Sequence, residues 1–276
     1  MLVRTVAALL GLLPLLCCTQ RTASLPSAAT LIHDETTRLK VLAAVFPNAR
    51  ISEIPGKRID SSFSFEHVAF PDALRDETVY DVQAPPAGNE EACAASSIPD
   101  PETVGQHREL RFRLFSLANR PLYVAAMQYR FSDTAPAFGC QSMARVALVS
   151  QGKQADDSIP DMTHHDSLQT IEFANLTGQG TDNLIIESDW GGGGAQFGEL
   201  FIFDLASNKL HQLLAIRARG VDNAGDEWVS VLDAQQTAAK KGKEFCFTET
   251  KYATKGKPLK PPDLSHPCYP PGTANQ

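Results

Sequence analysis

The chain has 276 residues, a net charge of −7 and an ordinary globular composition, 43% hydrophobic and 21% charged. Once the first segment is set aside, about 250 residues remain, enough for one domain or two small ones. The acidic balance argues against nucleic acid and anionic membrane as main partners, because both select clustered Lys and Arg.

Residues 1–24 read as a signal segment. Arg4 precedes an unbroken apolar run at 6–16, and Cys17, Cys18 and Thr19 follow. A basic start, a short apolar core and small residues after it form the pattern of a secretory signal. The run is shorter than the ~20 residues a spanning helix needs. The expected location is periplasmic, anchored in the outer envelope, or extracellular. Leu15-Leu16-Cys17-Cys18 resembles a bacterial lipoprotein signal with Cys18 as the lipidated residue, although that family prefers small residues where Leu16 and Cys17 stand. The resemblance implies a lipid anchor as the one membrane contact. Ordinary cleavage after Thr19, or near Ser24 or Ala29, stays open beside it.

In an exported chain, Cys93, Cys140, Cys246 and Cys268 imply two disulfides with three possible connectivities. Cys246–Cys268 would pin the C-terminal tail to a strand, and Cys93–Cys140 would tie down the loop around residue 93. A reactive Cys140 beside His164 is disfavoured, because an oxidising compartment favours pairing over a free thiolate.

A helix is expected over residues 34–46 of the N-terminal segment 31–82. Leu39, Leu42, Ala43 and Phe46 fall on one face, Asp34 can cap the start, and Pro47 with Asn48 ends it. Residues 83–106, rich in Pro, Ala, Ser and Glu, form a loop or linker. From 107 the pattern turns to β. Leu110, Phe112 and Leu114 alternate with Glu109, Arg111 and Arg113, a half-buried strand with a charged outer face. Past the turn at 118–121, Tyr123, Ala125, Met127, Tyr129 and Phe131 answer it as a hairpin. Further strands are expected at 143–150, four between 171 and 216, then 228–232 and 244–252. Leu200, Phe201, Ile202 and Phe203 leave no polar face, so that strand is covered on both sides. The β domain spans 107–252. Lys251, Lys255, Lys257 and Lys260 merge into a proline-rich tail, 253–276, read as a solvated extended end.

The stretch 171–214 alternates strands with a Gly/Asn/Thr turn, a four-glycine bend and a second turn. Its first turn resembles the calcium loop of FG-GAP or VCBS β-propeller blades, D-x-D-x-D-G-x-x-D, over about one blade at 171–216. The resemblance implies a propeller-like blade whose ligand positions are Asn175, Thr177, Gln179 and Asn183. None is charged, and calcium affinity depends on carboxylate count. No metal is therefore expected, and the loop should hold its shape through Asn/Thr side-chain bonds and two glycines. No long-period repeat signals a full propeller.

Trp190, Gly191, Gly192, Gly193 and Gly194 form the candidate ligand-binding loop, since glycines permit close backbone approach and an exposed Trp can stack on a sugar or peptide. The competing reading is a wide inter-strand bend with Trp190 folded onto the sheet. His164-His165-Asp166 is better read as a solvated loop than as a metal site, because neighbouring side chains on a strand point oppositely. The stretch 222–227 is an acidic turn.

The sequence thus predicts a mainly β fold, antiparallel sheets in a partial propeller or a sandwich, with an N-terminal helix. No metal signature or cofactor motif is present, and neither H-E-x-x-H nor G-x-S-x-G occurs. The expected function is an exported, non-catalytic protein with a structural or partner-binding role toward a protein or carbohydrate. Two alternatives remain: a secreted hydrolase whose carboxylates Glu187, Asp189, Asp226 and Glu227 meet in space, and a calcium-stabilised surface module.

Overall fold

A computed structural model describes residues 29–84, 107–118, 120–131, 142–157, 167–178, 182–192, 194–205, 208–252 and 263–274. Cys18, Cys93, Cys140, His164, His165, Asp166, Gln179 and Gly193 lie outside the described residues, as does the 83–106 loop beyond Ala84.

The protein is mainly β, with antiparallel sheets, one of them curled into a half-barrel. The first sheet contains β1 (Ala29–Leu31), β2 (Arg50–Glu53), β5 (Tyr80–Gln83), β6 (His107–Leu117), β7 (Leu122–Phe131), β8 (Ser142–Ser150) and β9 (Lys153–Asp157). Its order is β2-β5-β6-β7-β8-β9, and β1 pairs with the far end of β6. A small hairpin, β3 (Phe63–Ser64) with β4 (Ala69–Phe70), stands outside it. The second sheet runs in chain order through β10 (Ser167–Ala174), β11 (Asn183–Gly192), β12 (Ala195–Asp204), β13 (His211–Val221), β14 (Glu227–Leu232), β15 (Phe245–Tyr252) and β16 (Asp263–Ser265), and β17 (Cys268–Tyr269) also pairs with β15. The four strands of 171–216 therefore form a meander that continues unbroken into β14.

Two-residue periodicity explains the layering. Leu122, Val124 and Ala126 of β7 and Ala144, Val146 and Leu148 of β8 meet Leu184, Ile186, Phe201, Phe203 and Ala215 of the second sheet in one core. The opposite face of the first sheet, with Leu110, Phe112, Ala125, Met127 and Ala147, packs under α1 (Glu35–Val45). On the far side of the second sheet, Ile185, Leu200, Ile202, Leu214 and Ile216 pack with Phe245, Phe247 and Ala234 of α2 (Ala234–Ala239). The run at 200–203 is thus covered on both sides as expected, Phe201 and Phe203 toward the first sheet and Leu200 and Ile202 away from it.

Several local expectations change. Asp34 does cap α1, its carboxylate accepting from Thr37 N at 2.8 Å. The buried stripe, however, is Arg38, Val41, Leu42 and Val45, while Leu39 is 37% exposed. Arg38 belongs there because its guanidinium lies over the Phe112 ring and donates to Glu77 and the Phe112 carbonyl. The charged face of β6 is not solvated either. Arg111 is 1% exposed, held by Asp72, Gln128 and the Ile59 carbonyl as residues 57–77 cross that face. The edge strand β9 follows β8 across a two-residue turn at Gln151 and Gly152. The four-glycine stretch is a tight hairpin, not a wide bend: Gly191 pairs with Gln196 and Gly192 with Ala195.

The described part of the tail, 263–274, is extended but attached. Cys246 and Cys268 are joined in a disulfide, and beyond it Gly272 N donates to Leu213 O and Ala215 N to Thr273 O, covering the edge of β13. Among the described residues no helix is long and apolar enough to cross a membrane.

Candidate functional site

Three of the four carboxylates considered for catalysis are committed to structural partners. Glu187, 3% exposed, receives two hydrogen bonds from the Arg219 guanidinium. Asp189, equally buried, accepts from Ser167 N and Oγ and from Gln196 Nε2. Glu227 accepts the Oε2 bonds of His67 N and Val68 N at 2.8 and 2.9 Å, so it fastens the β3–β4 hairpin to the second sheet. Arg219 reinforces that contact through the Ala69 carbonyl. Asp226 lies in a turn organised by Asp222, whose Oδ1 accepts from Ala224 N and Asp226 N. Beside Glu187, Gln169 sits at the bulge of β10 with both amide atoms buried and unpartnered.

In the calcium-like turn, Asn175 Oδ1 accepts from Gly178 N and Asn183 Oδ1 from Leu176 N. The two asparagines therefore hold the loop as expected. Thr177 does not take part, since its buried hydroxyl has no partner. Gly178 supplies the positive φ of 70° that the turn needs. Glu244, Cys246 and Cys268 cluster closely enough to suggest metal ligands, but the two sulfurs are spent in the disulfide.

A 160 Å³ cavity opens on the first sheet, lined by Ile59, Asp60, Ser61, Glu109, Arg111, Gln128, Tyr129, Arg130 and Ser142. Its charges are mutually satisfied. Burial alone would raise the Glu109 carboxyl, but hydrogen bonds from Lys57 and Arg130 outweigh that and hold it below its ordinary value. Ser62 holds Asp60 below its ordinary value in the same way, through its hydroxyl and its N–H.

The candidate loop leads to a different arrangement. Trp190 on β11 is directly cross-strand from Phe197 on β12, Phe197 from Gly220 on β13, and Gly220 from Trp228 on β14. Three rings thus lie in one row across four strands, which spans about 14 Å at the usual strand spacing. Ring centroids are 5.0 Å apart between Trp190 and Phe197 and 5.8 Å between Phe197 and Trp228. Gly220 makes this possible, since a Cβ there would meet Trp228 at 2.4 Å and Phe197 at 2.9 Å. All three aromatic residues are half-buried. The exposed Arg217 places its guanidinium over Trp190 and Phe197, 5.3 and 4.6 Å from their centroids. Trp190 Nε1 is buried without a partner.

Of the predicted loop, Trp190 belongs to this row, while Gly191 and Gly192 lie in the ladder that positions it. Gly191 admits the Gln196 amide, which a Cβ would meet at 2.0 Å, and Gly194 turns the hairpin with φ 94°. Arg217, Gly220 and Trp228 were not foreseen, because only the register of β12, β13 and β14 brings them to Trp190.

No family model matches the chain, and neither a curated protein nor a solved structure matches it.

Proposed function

We propose that this is an exported, non-catalytic binding protein that takes its ligand on the aromatic row Trp190–Phe197–Trp228. The row carries this reading: three half-buried rings in successive tilted contact on a sheet, with an arginine over two of them. Aromatic residues and arginine dominate binding surfaces because they give large contact area with little flexibility to lose. The commitment of Glu187, Asp189 and Glu227 to structural partners supports a binding role over a hydrolytic one. The signal-like first segment supports export, with Cys18 as the candidate lipid anchor. The FG-GAP-like stretch enters this reading as a metal-free scaffold for the row.

Co-sedimentation with an envelope fraction of the source cells tests the proposal. The wild-type chain should sediment with the fraction, and the Trp190→Ala, Phe197→Ala and Trp228→Ala variants should stay in solution while keeping a wild-type circular dichroism spectrum. Equal sedimentation of wild type and folded variants would remove the row from the function.

A further inference from the structure

Resting on that reading, we infer that the ligand of the row is a neutral, extended saccharide, bound through its C–H faces on Trp190, Phe197 and Trp228. Shape points first in this direction. The row runs across four strands, with its three rings half-buried and the exposed Arg217 beside them. A compact apolar ligand prefers an enclosed pocket. A chain of rings with apolar faces and polar edges fits a long, shallow aromatic strip.

The polar groups beside the strip decide the ligand's charge. Arg217 is directly cross-strand from Glu199, one step along from the rings. Lys251 is directly cross-strand from Trp228 and pairs with Glu249 at 3.1 Å. Donors and acceptors of both signs thus border the strip. A polyanion would meet Glu199 and Glu249, and a polycation would meet Arg217 and Lys251. Uncharged hydroxyls use both kinds, accepting from the cations and donating to the carboxylates.

Trp190 supplies the remaining observation. Its indole N–H is buried with no acceptor, an arrangement that costs free energy until one arrives. Arg217, an exposed side chain, covers the ring beside it. When the guanidinium moves off Trp190 and onto the saccharide, a ring hydroxyl can reach the indole N–H. Arg217 then turns from a cover into a contact.

The chain has only two tryptophans, Trp190 and Trp228, so selectively excited tryptophan fluorescence reports this strip alone. The full chain is titrated with cellohexaose, chitohexaose and maltohexaose, with the matching monosaccharides, and with a capped, uncharged Pro-Leu hexapeptide. At least one hexasaccharide should change the emission saturably and bind tenfold or more tighter than its monosaccharide. Phe197→Ala should lose at least tenfold. Gly220→Ala, which keeps every ring but pushes Phe197 and Trp228 apart, should lose as much. Should Gly220→Ala misfold, Arg217→Ala at the exposed rim carries the same test. Saturation by the peptide and by no hexasaccharide would overturn the saccharide inference and leave the binding row standing. No response to any probe would also overturn it, and the row itself fails only if envelope co-sedimentation ignores the ring variants. Saccharide binding unchanged in Phe197→Ala and Gly220→Ala would place the ligand elsewhere and overturn the inference.

Discussion

Replacing Asp72 with alanine should be among the most damaging single changes in the molecule. Asp72 and Arg111 form an ion pair at 2.8 Å with side-chain exposures of 0% and 1%. Asp72 also accepts from Ser61 N and Oγ and from Leu74 N, all at 2.8–2.9 Å. One carboxylate therefore anchors residues 61–74 to the face of β6. Asp72→Ala would leave the Arg111 charge buried with only Gln128 and the Ile59 carbonyl as acceptors. Breaking one partner of a buried pair costs about 3–5 kcal/mol. At roughly 2–4 °C per kcal/mol for a chain of this size, the melting temperature should fall by about 6–20 °C. The double variant Asp72→Leu/Arg111→Met removes both charges and should recover most of the loss, because well-packed apolar replacements of a buried pair are often neutral. Urea denaturation of the two single variants and the double variant gives the cycle. A loss below about 1 kcal/mol for Asp72→Ala, or a double variant worse than the sum of the singles, would refute the reasoning.

Opening the Cys246–Cys268 bridge, which spans 22 residues, should cost about 3.4 kcal/mol by loop entropy, read as the difference in denaturation midpoint between the oxidised protein and the Cys246→Ser/Cys268→Ser variant. Hydrogen exchange at Ala215, whose N–H is bonded by the tail, should quicken in the same variant. Glu227→Gln removes the charge from two bonds to the β3–β4 hairpin and should speed exchange of the His67 and Val68 amides while leaving β7 and β8 unaffected. Glu109 has a folded pKa below its ordinary value of 4.5, so it contributes stability at neutral pH that is lost as pH falls from that value through the lower folded one. Glu109→Gln should therefore be less stable at pH 7 and show a flatter decline below pH 4.5 in acid unfolding curves.

The sequence revealed elements whose forces are local. Asp34 announced the start of α1, and the unbroken apolar run at 200–203 announced a strand covered on both faces. The alternation in β6 placed Leu110, Phe112 and Leu114 in the core. It could not tell that the opposite face would be covered, because Asp72 lies 39 residues upstream of Arg111. Nor could it join His67 to Glu227, whose bond closes a separation of 160 residues. The edge strand β9, Lys-Gln-Ala-Asp-Asp, carries no alternating apolar face to mark it in the sequence. Half of the candidate site was visible in Trp190 and its glycines. The other half depends on a three-residue register between β13 and β14, which sets Trp228 beside Gly220. Register between strands is a property of the folded sheet, and composition does not encode it.

The NMR signals of the two indole N–H groups test the central claim most directly, since both tryptophans of the chain lie in the row. During titration with a soluble enzymatic digest of the source cells' envelope, both resonances should shift together, that of Trp190 by more as its unpartnered N–H gains an acceptor. Neither should move in the Phe197→Ala variant at the same digest concentration. Indole signals that stay fixed while other amides of the wild-type protein shift would contradict the account, because a ligand would then be bound away from the row.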